Sequence, residues 1–179
     1  MTRSVLTPLS NIVWHSLSGA QSPLSVGNER IRRFAPGYSQ LIGALDRDHP
    51  ALQELASLCA PGEHFYVLGW RGPPPSGWQV DVEAEVDQLV WEHPAPEAMD
   101  ERDLVRLDAA HVARMIALTE LTHPGPFAER TIAFGEYYGI FDGERLLAWP
   151  ASACTPGLFA RSARSAPIRT PRVAASRAD

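Results

Sequence analysis

The last 31 residues, Trp149 to Asp179, set the main limit on what this chain can fold into. Ala, Ser, Pro and Arg make up 21 of them, and Glu, Gln, Asn and Tyr are absent. Their apolar residues follow neither the helical nor the strand period, so this tail is predicted to stay largely unfolded. The first 148 residues must therefore supply the folded core.

The tail can also be read as a coding sequence that has slipped by one base. When each codon is read one base upstream with permitted choices, residues 148–177 become a string that contains E-I-S-A-V-C-T followed by Q-G-R-G-L-A. The first segment is typical of a strand, and the second is a glycine-rich loop. We therefore expect that a base was lost near Ala148 and that residues 149–179 are out of frame.

Charge divides the chain at the same place. All 16 basic residues are Arg; residues 1–148 hold 11 of them against 20 acidic residues, a net charge of −9, whereas the tail carries +4. An acidic body argues against nucleic acid and anionic membranes as partners. Cys59 and Cys154 are too few for a disulfide framework or a zinc site, and a cytoplasmic location is expected.

Composition predicts two units and a linker. Two prolines and three acidic residues make Glu92 to Asp100 the best internal boundary. The predicted divisions are an α/β unit over 1–92, a linker over 93–100, a second unit over 101–148 and the tail over 149–179.

The first unit reads as mixed α and β. A short helix is predicted over Asn11 to Leu17, and a second helix begins after an Asp48 cap and ends near Pro61. The predicted strands are His64 to Trp70, the alternating residues Trp78, Val80 and Val82, and a further strand that contains Leu89 and Trp91.

The second unit has clearer signals. Asp103 to Leu107 is predicted to be a strand, and Asp108 to cap a helix whose apolar face carries Val112, Met115, Ile116 and Thr119, widened by Leu118 and Leu121. An irregular loop over Thr122 to Phe127 and a short helix over Ala128 to Ala133 follow. Asp142-Gly143 predicts a hairpin between Glu136 to Phe141 and Arg145 to Trp149.

Several charged or reactive side chains are better explained by structural roles than by catalysis or ligand binding. Asp81, Glu83, Glu85 and Asp87 recur at every second residue, which favours a solvated strand edge over a metal or acid–base pair. Arg30, Arg32 and Arg33 could bind phosphate, but their alternation with Ile31 and Phe34 favours a strand with an exposed arginine face. Cys59 is predicted to be a packing residue.

The order strand, helix, loop with short helix and hairpin over Leu104 to Leu147 resembles the opening half of a GNAT acyltransferase. The segments that carry the resemblance are N-I-V-W at Asn11 to Trp14, E-R-I-R-R-F at Glu29 to Phe34, H-P-G-P-F at His123 to Phe127 and Y-Y-G-I-F-D-G-E-R-L-L-A at Tyr137 to Ala148. Together they are similar to a bacterial GNAT subgroup with a divergent amino-terminal half.

The resemblance implies an α+β fold with a mixed sheet and flanking helices, and an N-acetyltransferase that uses acetyl-CoA and no metal. In such proteins the amine of a small acceptor attacks the thioester directly, and backbone N–H groups hold the coenzyme's pyrophosphate. The re-read loop Q-G-R-G-L-A resembles that pyrophosphate-binding turn, and no in-frame segment supplies one. The chain is therefore expected to be a partial GNAT fold that lacks the coenzyme-binding half and is inactive.

The resemblance also implies an acceptor pocket. His123, Pro124, Gly125, Pro126 and Phe127 would line it, with Glu129 at its rim as an amine-binding carboxylate, and Glu136 or Tyr137 would act as base or hydrogen-bond donor. Each has a simpler reading: the prolines shape a turn, Phe127 and Tyr137 pack in the core, and His123 is solvated. Strand alternation sends only one of Glu136 and Tyr137 inward.

Two further expectations follow. The strand Arg145 to Trp149 would lack its usual neighbour, and its exposed edge predicts self-association. The alternative function is a non-catalytic ligand-binding or interaction module whose Arg-rich tail contacts an acidic partner.

Overall fold

A computed structural model describes residues 9–83, 85, 104–122 and 127–149 and the backbone of 174–177. These residues form an α+β fold with short helices, as the sequence predicts. The helices are α1 Ile12–Ser18, α2 Leu52–Leu55 and α3 Val112–Thr122. The strands are β1 Ser25–Gly27, β2 Ile31–Phe34, β3 Leu41–Ala44, β4 His64–Val67, β5 Trp78–Val82, β6 Val105–Leu107, β7 Tyr137–Asp142, β8 Arg145–Ala148 and β9 Ala174–Arg177.

Six strands form a mixed sheet in the order β1-β2-β3-β4-β9-β5. The β3–β4 pair is parallel, with Ile42 opposite Val67, and the other pairs are antiparallel. A parallel pair needs a crossover connection, and α2 with the short 3₁₀ turn Ala56–Leu58 provides it between β3 and β4.

Helix α1 packs closely on this sheet because Gly43 has no side chain. A Cβ atom on Gly43 would lie 2.7 Å from the backbone nitrogen of Trp14. The side chain of Asn11 donates a hydrogen bond of 2.8 Å to the carbonyl of Ala44 and so fixes the start of the helix to the end of β3. Leu17 of α1 and Phe34 of β2 are fully buried in the cluster that joins the helix to the sheet.

Three strands form a second sheet in the order β6-β7-β8, and α3 covers one of its faces. Four residues make its buried core: Leu107, Met115, Tyr137 and Leu146. The hairpin between β7 and β8 turns at Gly143, whose φ of 57° is the left-handed conformation that the Asp142-Gly143 dipeptide predicts.

Most of the predicted elements are present with small changes of extent. Helix α1, strands β5 and β6 and the hairpin match their predictions, whereas the strand predicted over His64 to Trp70 ends at Val67. The predicted helix over Ala128 to Ala133 is a single 3₁₀ turn, Thr131–Phe134. Leu121 lies at the surface, 73% exposed, and does not widen the buried face of α3.

The predicted Asp48 cap is wrong. Helix α2 begins at Leu52 with no side-chain cap, because Asp48 lies too far before it. The carboxylate of Asp46 instead accepts hydrogen bonds from the backbone N–H groups of Asp48 and His49, at 3.0 and 3.1 Å. This is a local turn in which the side chain bonds to the backbone two or three residues ahead.

The predicted exposed arginine face on β2 is also wrong at one position. Arg33 is only 2% exposed, whereas Arg30 lies at the surface. A charge this deep requires a partner, and Glu63, at 26% exposure, supplies one in a two-pronged ion pair.

The prediction of an unfolded tail does not hold for Ala174–Arg177. These four residues form β9, which pairs with β4 on one side and β5 on the other. Strand pairing uses backbone groups that every non-proline residue carries, so a segment without a strand-like apolar pattern can still complete a sheet. The linker over 93–100, the strand predicted at Leu89 and Trp91, and residues 150–173 lie outside the described residues.

Candidate functional site

Three aromatic side chains cluster beside the second sheet, and one of them, Phe127, belongs to the predicted acceptor pocket. Phe127, Tyr137 and Trp149 form this aromatic cluster, with ring centroids 4.7 Å apart for Phe127 and Trp149 and 5.8 Å for Tyr137 and Trp149. Phe127 and Trp149 are half-buried at the edge of the core, while Tyr137 is fully buried. The cluster therefore offers an apolar wall at the end of α3.

Tyr137 is a structural anchor of this wall. Its hydroxyl donates a hydrogen bond of 2.9 Å to the backbone carbonyl of Thr131. The Thr131 hydroxyl accepts a bond of 2.8 Å from the N–H of Ala128 and donates to the carbonyl of Tyr38. A buried phenol with this role holds the segment after Phe127 in place, which agrees with the packing interpretation of Tyr137.

Glu136 points away from the aromatic cluster, and the alternation of the strand explains why. Its carboxylate lies 3.0 Å from the guanidinium of Arg106, and both side chains are more than half exposed. Between the two predicted catalytic residues, only Tyr137 faces the core. An exposed ion pair of this kind contributes little to stability.

Glu129 lies at the surface two residues after Phe127. This position leaves its carboxylate accessible to a solvent-borne amine. His123, Pro124, Gly125 and Pro126 lie outside the described residues, so the structure places only Phe127, which is half-buried, and Glu129, which is exposed, of the predicted pocket.

The sequence interpretation missed a contact that holds the pocket segment against the six-stranded sheet. Arg130 lies over the ring of Tyr38, with its guanidinium carbon 4.1 Å from the centroid, and it donates a hydrogen bond of 2.6 Å to the Tyr38 hydroxyl. Phe134 stacks on Phe34 with centroids 4.6 Å apart. These partners lie about a hundred residues apart in the sequence, so no local pattern could have revealed them.

The start of α3 is already occupied by a carboxylate. Asp108 accepts a hydrogen bond of 2.9 Å from the N–H of Ala110, and His111 completes a capping box. The hydrogen bonds from the Ala110 backbone and from His111 lower the pKa of Asp108. A second anion placed at this helix start would meet the Asp108 charge, so this end of α3 does not fit a coenzyme's pyrophosphate.

The glycines of the described chain do not form a phosphate-binding loop either. Those with positive φ, Gly27, Gly37, Gly62, Gly69, Gly77 and Gly143, are isolated in the sequence, and none of them directly precedes a helix. Several converging N–H groups are needed to hold a pyrophosphate, and an isolated turn supplies too few. Within the described residues, the glycines with positive φ therefore supply no loop of this kind.

The most deeply buried charge lies elsewhere, in the six-stranded sheet. Arg33 donates to Glu63 at 2.7 Å, to the carbonyl of Leu58 at 2.9 Å and to that of Phe34 at 3.1 Å. Burial opposes ionisation of Glu63, but the hydrogen bonds from Arg33 and the Ala60 N–H outweigh it and lower the pKa of Glu63. The pKa of Arg33 is raised, because the bonds to Glu63 and Cys59 outweigh its burial.

The neighbouring groups on this sheet are likewise explained by packing. Cys59 is 6% exposed, as the packing interpretation predicts. Arg30 is paired with Glu54, and Arg32 donates a hydrogen bond of 2.9 Å to the hydroxyl of Ser25. The cations of the predicted basic cluster thus all have partners within the protein.

The acidic series on β5 is a surface feature. Asp81 lies 3.0 Å from His64 and accepts a hydrogen bond of 2.9 Å from Gln79. Glu85 is paired with Arg71 at 3.3 Å, and both are strongly exposed; Asp87 lies outside the described residues. Within the described ranges, no three His, Cys, Asp or Glu residues converge to hold a metal ion.

The longest described helix, α3, has 11 residues, and no helix in the described part of the chain has the length and apolar character needed to cross a bilayer.

The chain is similar to a protein from Novosphingobium aromaticivorans DSM 12444 that has been assigned as an acetyltransferase of the GNAT family. The two share 33% sequence identity and a TM-score of 0.73 over 83% of this chain. The chain spans 66% of that protein's length.

No protein-family model and no curated protein matches the chain. The fold that the described residues share with the Novosphingobium protein is GNAT-like, which agrees with the resemblance of residues 10–148.

Proposed function

We propose that the chain is a member of the GNAT superfamily of acyltransferases and carries the acceptor side of an acetyl-CoA-dependent N-acetyltransferase. The observation that carries this proposal is the similarity to the Novosphingobium protein, because a TM-score of 0.73 at 33% identity extends over 83% of this chain. A similarity of this extent involves most of the fold and not a single local motif. A small amine is the proposed acceptor.

The described residues support a role in positioning the amine. The aromatic cluster gives an apolar surface, and Glu129 gives an accessible carboxylate two residues from Phe127. A protonated amine would be held by the carboxylate while its carbon skeleton lies against the aromatic rings. His123 to Pro126 are proposed to complete this pocket.

The coenzyme-binding part is proposed to be the segment re-read beyond Ala148. The start of α3 is capped by Asp108, and the described glycines form no loop for a pyrophosphate. The 179-residue chain is therefore expected not to bind acetyl-CoA, and we derive no step through the coenzyme. Sequencing the codons around Ala148 in the source gene tests the frame directly, and an intact frame there contradicts this part of the proposal.

An activity assay tests the function itself. A protein with one base restored near the Ala148 codon is incubated with acetyl-CoA and a panel of small amines and amino acids, and release of free thiol is followed. The proposal predicts amine-dependent thiol release. A folded restored protein that releases no thiol with any amine contradicts the acetyltransferase assignment.

The acceptor site has a matched pair of variants. In the restored protein Glu129→Gln is expected to raise KM for the amine about tenfold, because a hydrogen bond to a charged group contributes about 1.5 to 3 kcal/mol. Glu136→Gln is the control, since Glu136 is paired with Arg106 at the surface. Equal KM values for both variants would remove Glu129 from the acceptor site.

A non-catalytic interaction module is the second candidate. The observation in its favour is β9, which gives part of the tail a place in the six-stranded sheet. Limited proteolysis distinguishes the two candidate functions. If the tail is a functional part of an interaction module, it is expected to be protected along its whole length. If the tail is out of frame, trypsin is expected to cut it rapidly at its arginines before Ala174.

A further inference from the structure

An open groove lies where the turn between β1 and β2 meets helix α2. Its volume is about 430 Å³, and it is lined by Asn28, Glu29, Arg30, Arg32 and Glu54. This volume falls in the range of small-molecule sites, roughly 300 to 1,000 Å³. Two guanidinium groups and two carboxylates are among the five lining side chains. The charges of the groove therefore decide which kind of molecule fits it.

The wall of the groove is held in place by the protein itself. The side-chain oxygen of Asn28 accepts hydrogen bonds of 2.8 and 3.1 Å from the backbone N–H groups of Arg30 and Ile31. The side-chain amide of Asn28 donates a hydrogen bond of 2.7 Å to the carboxylate of Glu54 on α2. Asn28 thus fixes the turn against α2, and a ligand would meet a groove that is already formed.

Two of the four charges neutralise each other. The carboxylate of Glu54 accepts a hydrogen bond from Arg30 with one oxygen and from Asn28 with the other. Both oxygens of Glu54 therefore have a partner in the protein, and the ion pair with Arg30 carries no net charge. Neither member of this pair is expected to select the ligand.

The cation of Arg32 has no opposite charge beside it. Arg32 is half-buried, and its guanidinium donates a hydrogen bond of 2.9 Å to the hydroxyl of Ser25, which is a neutral group. Its stem lies along β1 at Gly27, where a Cβ atom would come within 3.2 Å of the Arg32 Cγ. The position of Arg32 is therefore set by its neighbours, while its other N–H groups remain available to an anion.

The carboxylate of Glu29 is the matching unpaired anion. Glu29 is exposed, and its side chain forms no ion pair or hydrogen bond with any described residue. Glu29 and Arg32 line the same groove without pairing with each other. The groove therefore presents one cation and one anion at separate places.

We propose that this groove binds a small zwitterion, which is a molecule with one carboxylate and one ammonium group, such as an amino acid. The planar guanidinium of Arg32 donates parallel hydrogen bonds to the carboxylate, and Glu29 accepts hydrogen bonds from the ammonium group. Inorganic phosphate fits less well, because Glu29 and Glu54 repel a dianion. The proposal does not rest on the acetyltransferase function, since the lining residues all belong to the β1–β2 turn, β2 and α2.

The first test uses the unmodified 179-residue chain and a series of ligands. Backbone amide shifts of ¹⁵N-labelled protein are followed during titration with glycine, β-alanine and γ-aminobutyrate, which place the two charges at increasing separations. Propionate, propylammonium and inorganic phosphate are the controls with one kind of charge. At least one zwitterion is expected to shift the amides of residues 27–32 saturably and to bind at least about tenfold more tightly than each control, because it makes one more hydrogen bond between charged groups.

The ligand series can overturn the proposal without any variant. If no zwitterion gives a saturable shift in residues 27–32, the groove is not a binding site for this class of molecule. If propionate or phosphate binds as tightly as the best zwitterion, Glu29 takes no part and the zwitterion assignment is wrong.

Two variants then assign the two charges. Arg32→Gln is expected to weaken binding of the best zwitterion at least about tenfold. Glu29→Gln is expected to remove the preference, so that propionate and the zwitterion bind with similar affinity. The matched control is Arg106→Gln, which removes an exposed cation from the second sheet and is expected to leave the affinity unchanged.

Amide shifts outside residues 25–32 verify that each variant keeps its fold. Equal zwitterion affinity in the Arg32→Gln and Arg106→Gln proteins would contradict the proposed role of Arg32. A tenfold preference for the zwitterion that persists in Glu29→Gln would contradict the proposed role of Glu29.

Discussion

The two sheets differ in how completely they bury their apolar residues. In the six-stranded sheet Ile31, Phe65 and Leu55 are fully buried, and the sheet is covered by α1 and α2. The three-stranded sheet buries four residues beneath α3 and leaves most of the large exposed hydrophobic residues of the described chain at the surface, namely Val105, Leu121, Tyr138, Ile140 and Leu147. The six-stranded sheet therefore has a buried core of its own, whereas the three-stranded sheet needs further contacts to bury its apolar residues.

The contact between the two regions is correspondingly specific. Arg130 and Phe134 of the segment before β7 pack on Tyr38 and Phe34 of the first sheet. Beyond this contact, β8 pairs only with β7 among the described residues. In the described part of the chain the other edge of β8 therefore has no partner strand.

The largest expected effect comes from the buried ion pair of the first sheet. Glu63→Gln leaves the Arg33 charge buried without its partner and is expected to cost about 3 to 5 kcal/mol in urea unfolding. The control is Glu54→Gln in the exposed pair with Arg30, with an expected cost of about 0.5 kcal/mol. Equal losses in the two variants would mean that burial does not distinguish these pairs.

The same pair gives a pH dependence with a definite sign. Because the folded protein lowers the pKa of Glu63 below its ordinary value of 4.5, its contribution is complete above pH 4.5 and is lost as the pH falls through the folded value. The stability difference between the wild-type protein and Glu63→Gln should therefore shrink in acid.

A cavity in the second sheet tests whether the two regions unfold separately. Met115→Ala removes a fully buried side chain and is expected to cost about 3 kcal/mol. Hydrogen exchange should accelerate in β6, β7 and β8 while β2 and β3 keep their protection, because the first sheet has its own core. Uniform acceleration across both sheets would show a single cooperative unit instead.

A variant of Tyr137 tests whether this residue is structural or catalytic, with a smaller expected loss of stability. Tyr137→Phe removes the hydrogen bond to Thr131 and is expected to cost about 1 kcal/mol, whereas the exposed neighbour Tyr138→Phe should have no measurable effect. In the frame-restored protein kcat should change little. A loss of kcat of about a hundredfold, which is the range of general acid–base catalysis, would instead make Tyr137 a catalytic residue.

The edge of β8 that has no partner strand among the described residues predicts self-association. Changing it is expected to alter the free energy of unfolding of a single chain less than the variants above. Leu147→Glu is expected to reduce concentration-dependent association in light scattering, because Leu147 is 45% exposed on β8. Leu58→Glu is the matched control, since Leu58 is also 45% exposed but lies in the first region. If both variants reduce association equally, the edge of β8 is not the interface.

Local signals in the sequence predicted the elements whose causes are local. Asp142-Gly143 predicted the hairpin, and Asp108 predicted the cap of the 3₁₀ turn that leads into α3. Both predictions rest on a few neighbouring residues, because a turn and a cap form locally. Alternation also predicted that only one of Glu136 and Tyr137 faces inward, and the structure shows that it is Tyr137.

Contacts between distant residues could not be predicted in this way. Arg33 was expected at the surface because its partner Glu63 lies on another element, and Tyr38 meets Arg130 only after both regions have folded. Strand β9 was missed for a related reason, since its pairing is set by the gap between β4 and β5 and not by its own composition. Around the candidate site, the sequence therefore predicted that Phe127 and Tyr137 pack in the core, but not the contacts that hold them there.

The most direct test of the account is a calorimetric titration of coenzyme A into two proteins, the 179-residue chain and the chain with one base restored near the Ala148 codon. We predict no heat of binding for the first and saturable binding for the second. Saturable binding to the 179-residue chain, or none to a folded restored protein, would contradict the claim that this chain carries the acceptor side of an acetyltransferase without its coenzyme site.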